Sequence, residues 1–187
     1  GNSLSDLLVF GKRAGDAAAV YAKGAGRSPI FAESKLEGYR QELLAPFQST
    51  GKEVPSLLHK DLQKVMERHV GIIRNGEKLK AALETFPILK DRYKQIRVAG
   101  QIPYNFGWHL GISLKFMLAV AEMITRAALE RQESRSSQAR EDFPKMDPQW
   151  GKKSIVVCQS NGALQISTEP LVPMPAELHN LLGEGAP

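Results

Sequence analysis

Apolar residues recur at helical spacing through most of the first 131 positions and at strand spacing only near the end. With Asn2 or Ser3 as a cap and Asp6 in the first turn, Leu4, Leu7, Leu8, Val9 and Ala14 predict a helix to about Ala22. Gly11 and Gly15 lie four apart on one face, a spacing that admits close approach of another backbone. The run Lys23-Gly24-Ala25-Gly26-Arg27-Ser28-Pro29 ends this helix, and a polar segment from about Phe31 to Leu44 predicts a second, with Gln48 to Glu53 a loop. Pro55 suits a first helical turn, and Leu57, Leu58, Leu62, Val65, Met66 and Val70 mark the apolar face of a third helix, ending near Gly71. After Asn75-Gly76 a fourth pattern uses Leu79, Leu83, Leu89, Tyr93 and Ile96, with Pro87 expected to kink or divide it. Asn105 can cap the longest helix, about Phe106 to Arg131. Its stripe of Leu110, Leu114, Met117, Leu118, Ala121, Ile124 and Leu129 makes it the central core element, with Trp108 and Phe116 also expected in the core.

Beyond Gln132 the period changes. Ser154 to Cys158 and Ala163 to Ser167 flank Asn161-Gly162, a strong hairpin signal, and Pro170, Pro173 and Pro175 predict an extended tail. The expected fold class is mainly α: an antiparallel helical bundle of three or more helices with a small C-terminal β-hairpin and extended tail. The expected divisions are an N-terminal helical segment over 1–50, the bundle over 51–144, and hairpin and tail over 145–187.

Composition adds exclusions. A lone cysteine, Cys158, cannot form an internal disulfide, and in a β-branched run it is expected to be a buried small residue. His59 and His69 lie ten residues apart, about 15 Å along a helix, too far to share one metal, and no metal site is expected. The net charge is +5, and Lys60 to Arg97 holds ten Lys or Arg against five Asp or Glu. Acids alternate with bases there at helical spacing without a nucleic-acid motif, so a solvated helix surface is expected and no nucleic-acid partner. No charged leader opens the sequence, and the most apolar stretch, Leu114 to Leu129, carries Lys115, Glu122 and Arg126, so no membrane span is expected. The opening Gly1-Asn2-Ser3-Leu4, at a helix start and without a methionine, predicts further sequence upstream.

Three stretches carry a family resemblance. Gly1-Asn2-Ser3-Leu4-Ser5-Asp6-Leu7-Leu8-Val9-Phe10-Gly11 resembles the G-N-S-L-x-D-L-x-V-F-G segment of succinate dehydrogenase and fumarate reductase flavoproteins. Met66 to Leu79, containing His69-Val70-Gly71-Ile72-Ile73-Arg74-Asn75, is similar to a second segment. Ala128 to Arg135 with Arg140-Glu141-Asp142-Phe143-Pro144 resembles A-L-x-R-x-E-S-R-G-x-H-x-R-x-D-F-P, except that Ser136, Ser137 and Gln138 replace Gly, a small residue and His.

The resemblance implies an FAD enzyme interconverting succinate and fumarate by hydride transfer, with residues 1–50 belonging to the flavoprotein core. It implies that Ser3 and Leu4 contact FAD at a helix start, that this chain holds no catalytic residue, and that the chain alone neither retains FAD nor catalyses. The implied partners are the upstream FAD-binding and capping domains of the same polypeptide and an iron–sulfur subunit of a membrane-associated complex, on the cytoplasmic side. Arg135, Arg140 and Asp142 are expected to be structural, pairing across the turn after the long helix. Two alternatives stay open: L-aspartate oxidase, a relative with a less similar flavin segment, and a non-catalytic helical interaction module using the basic face of 60–97. The flavoprotein reading expects Gly11 and Gly15 on an exposed face; the module expects their helix buried.

Overall fold

The computed structural model describes residues 3–26, 32–160 and 163–175. The chain separates into two units, Gly1–Glu42 and Leu43–Pro187. The first contains α1 (Ser3–Gly24) and the start of α2 (Glu33–Gln48). Every described residue of α1 is exposed, and a Cβ built on Gly11 or Gly15 would meet nothing within 4 Å. A helix with Leu4, Leu7, Leu8, Val9 and Phe10 in solvent has an apolar face with no core beneath it, as the flavoprotein reading expects.

In the second unit α3 (Pro55–Val70), α4 (Gly76–Tyr93) and α5 (Phe106–Glu130) pack pairwise around one core. Leu58 and Leu62 of α3, Leu79, Ala82, Phe86 and Leu89 of α4, and Leu114, Leu118, Ala121 and Ala128 of α5 fill it. These positions recur at three and four residues, which places them on one face of each helix. Asn75 caps α4 by accepting the Lys78 amide, and Asn105 caps α5 by accepting the Trp108 amide. The Asn105 side-chain amide also donates to the carbonyls of Ala99 and Gln101, so one residue both starts α5 and pins the loop before it.

Short extended pieces fasten the helices. The loop before α3 meets the one after α4: the Glu53 amide donates to Gln95 and the Arg97 amide to Glu53. A Cβ at Gly51 would lie 2.0 Å from the Gln95 carbonyl oxygen, so only glycine fits there. Two-residue strands β1 (Ile73–Arg74) and β2 (Ala139–Arg140) pair in parallel, bringing the α3–α4 connector to the segment beyond α5. After a 3₁₀ turn at Trp150–Lys152, β3 (Lys153–Ser160) and β4 (Ala163–Pro170) form an antiparallel hairpin against α5. The expected bundle and hairpin are present. The Asn161-Gly162 turn lies outside the described residues, as do Gly1, Asn2 and the tail beyond Pro175.

Several expectations need correction. α4 is not divided at Pro87, whose ring faces solvent while Phe86 and Leu89 hold both halves on the core. Ile96 lies beyond α4 and reaches the core from the loop. Phe116 is 62 % exposed: α5 is apolar around most of its circumference, more than two neighbouring helices can cover. Cys158 is exposed, because a two-stranded ribbon covers little of either face. No described helix is long and apolar enough to cross a membrane.

Candidate functional site

The first candidate is the start of α1. Ser3 opens the helix and is exposed, and Leu4 is 76 % exposed. The first N–H groups of any α-helix lack intrahelical acceptors and sit at the positive end of its dipole. An exposed helix start with an apolar residue beside free donors fits the polar edge and apolar face of a flavin ring. Asp6, in the first turn, favours the helix itself.

The second candidate is the junction beyond α5, where the two later family-like stretches meet. Arg140, 3 % exposed, donates Nη1 to the carbonyls of Ala128, Leu129 and Arg131 at 2.7, 3.1 and 3.2 Å, capping the C-terminus of α5 with a cation. Its Nε and Nη2 form a fork onto Asp142, each at 2.8 Å. Asp142 in turn accepts the Gly76 amide at 2.8 Å, placing an anion at the N-terminus of α4. Gln138 lies alongside: Nε2 donates to Ala128, and Oε1 accepts Arg74 Nη1 at 2.6 Å. Arg74 Nε donates to the carbonyls of Val70 and Gly71, so Arg74 and Gln138 link the end of α3 to the end of α5.

Glu133 anchors the following loop. It is fully buried, accepts from Arg131 and Arg135, and takes the Asp147 amide at 2.9 Å. Burial opposes its charge, but the bonds from Arg135, the Asp147 amide and Arg131 outweigh that and bring its carboxyl down to about 2. The Arg140 hydrogen bonds dominate at Asp142 and, with the Gly76 amide, overcome burial to lower it to about 2. Among the described residues no cluster of three or more His, Cys, Asp or Glu could hold a metal.

The chemistry of the junction is therefore cohesive. Its acids are held as carboxylates by permanent cations, which suits neither proton donation nor abstraction near neutral pH. Arg140 and Asp142 pair as expected; Arg135 pairs instead with Glu133. The sequence did not mark Glu133, Arg74 and Gln138 as members of this network. A local signal for Glu133 exists in its place between Arg131 and Arg135; nothing local links Arg74 to Gln138, 64 residues apart.

Residues 59–180 match the family described as the fumarate reductase flavoprotein C-terminal region. The chain belongs to this family. Within the flavoprotein C-terminal region the match takes in the bundle beyond the first turn of α3, the junction and the hairpin, and leaves α1 outside. Among curated relatives, the fumarate reductase flavoprotein subunit of Haemophilus influenzae is 33 % identical over 91 % of this chain and 29 % of its own length. The fumarate reductase flavoprotein subunit of Mycobacterium tuberculosis is likewise 33 % identical, over 91 % of this chain and 30 % of its own length. The Sdh1 complex of Mycobacterium smegmatis contains a chain superposing with a TM-score of 0.86 at 40 % identity, over 95 % of this chain and 31 % of that one. This flavoprotein C-terminal region thus spans under a third of the relatives it matches.

Proposed function

We propose that this chain is the C-terminal part of an FAD-dependent oxidoreductase interconverting succinate and fumarate, with Ser3 and Leu4 meeting the flavin. The observation that carries the reading is α1 itself: the segment resembling the family's flavin contact is a helix beginning at Ser3 and exposed throughout. Bound FAD supplies the hydride transfer. The backbone N–H of Ser3, with the dipole behind it, offers a hydrogen bond to negative charge on the ring, and Leu4 offers an apolar contact that excludes water. Residues 1–50 then belong with the flavin-binding part, 51–144 form the bundle, and 145–187 the hairpin and tail. The junction of Arg74, Glu133, Gln138, Arg140 and Asp142 holds the bundle rigid. The remaining partners in this reading are upstream FAD-binding and capping domains and an iron–sulfur subunit on the cytoplasmic side of the membrane.

A basic interaction module is the weaker reading. Asp61 pairs with Lys64 and Arg92, Glu53 with Arg92, Glu122 with Lys90, and Asp91 with Lys94, so much of the expected basic face is neutralised within the chain. The flavin reading is tested by the flavin content of the full-length gene product and its Ser3→Pro variant. Proline is tolerated at the first helical position and removes only the donor. A lower flavin-to-protein ratio at unchanged thermal midpoint is expected; an unchanged ratio removes Ser3 from the site.

A further inference from the structure

Between the C-terminal half of α5 and β3 lies an open cleft of about 390 Å³ that the flavin site does not use. Arg74, Arg131, Gln138 and Ser154 supply its polar lining; Ile124 and Ile155 are among its apolar lining residues, and no Asp or Glu lines it. Arg74 is half-buried, and its acceptors are all neutral: two backbone carbonyls and the Gln138 amide oxygen. Among the described residues no carboxylate pairs with it, and its Nη2 makes no hydrogen bond. Burial lowers its proton affinity, yet a guanidinium keeps its charge near neutral pH. The surroundings do not neutralise it. Arg131 and Arg135 share the carboxylate of Glu133, and Asp142 is occupied by Arg140, so neither of these carboxylates is left to pair with Arg74.

A partly desolvated cation without a counter-charge is costly, and an anion in the cleft offsets that cost. A guanidinium edge matches a carboxylate or a phosphate. The apolar wall decides between them: Ile124 and Ile155 can cover an aliphatic body but would strip water from a phosphate without replacing it. We propose that this cleft binds a small aliphatic carboxylate, with its oxygens against Arg74 and Ser154 and its hydrocarbon against Ile124 and Ile155. The inference does not rest on the flavin assignment. A glutamate side chain on another protein presents the same group, so the test uses the free acid.

The 187-residue chain is titrated with sodium propionate, against sodium chloride at equal ionic strength, while backbone amide resonances are followed by NMR. Saturable shifts at Gln138, Ser154 and Ile155 are expected with propionate alone, and butyrate should bind tighter than acetate. Arg74→Gln should weaken binding by about tenfold or more. If Arg74→Gln does not fold, Ser154→Asp replaces it. A carboxylate built into the cleft should raise the thermal midpoint and abolish the propionate shifts. Linear shifts, shifts equalled by chloride, binding that survives a folded Arg74→Gln variant, or propionate binding intact in Ser154→Asp would each overturn the proposal.

Discussion

Ser136 holds φ at 51°, in the left-handed region where a side chain is strained and glycine is not. It occupies the first central position of a tight turn closed by reciprocal Arg135 and Gln138 backbone hydrogen bonds at 2.8 and 2.9 Å. Such a turn with φ positive at that position favours glycine. The family pattern carries glycine here, so the departure seen in the sequence has a physical meaning the sequence alone did not show. Because Ser136 is exposed and its side chain makes no hydrogen bond within the described residues, Ser136→Gly should stabilise the chain by about 0.5–1 kcal/mol, read as a higher urea midpoint. A lower midpoint would mean that the freedom glycine adds to the unfolded chain outweighs the strain. Gln138 has a different meaning. A glutamine can accept from Arg74 and donate to the Ala128 carbonyl at once, whatever the pH, which a protonated histidine could not do.

At the scale of elements, the junction uses the helix dipoles: Arg140 sits at the C-terminus of α5 and Asp142 at the N-terminus of α4. Removing the buried cation takes the charge partner from Asp142 and one donor from each of three carbonyls. Arg140→Met should therefore cost about 3 kcal/mol in chemical denaturation. A loss below about 1 kcal/mol would show that water replaces the guanidinium without penalty. The helices themselves were legible because their signals are local: Pro55 at a start, the break at Asn75-Gly76, Asn105 as a cap, and apolar spacing between. Their covering was less so. Phe116 and Leu118 are both expected in the core, yet Leu118 is buried and Phe116, two residues away and so on nearly the opposite side of α5, is not. The pairing of β1 with β2 had no local sign, since two residues are too few for a strand period.

For the molecule as a whole, acid sensitivity follows from the junction. Glu133 and Asp142 have carboxyls depressed to about 2 in the folded chain. A depressed carboxyl adds stability that is complete above its unfolded pKa and lost as pH falls through the folded one. The thermal midpoint should thus change little from these groups above about pH 5 and fall between about pH 4.5 and 2. In Glu133→Gln, acidification should cost less of the midpoint than in the unsubstituted chain; an equal loss would place the acid sensitivity elsewhere.

In the flavoprotein reading the apolar residues that α1 exposes, Leu4, Leu7, Leu8, Val9 and Phe10, pack within the whole polypeptide. The direct measurement is fumarate-dependent oxidation of a reduced viologen dye by the purified full-length gene product, with bleaching of its bound flavin by L-aspartate followed separately. A yellow protein whose dye oxidation requires fumarate is expected. A flavin-free product, or a flavoprotein reduced by L-aspartate and inert with fumarate and succinate, would contradict the flavoprotein reading.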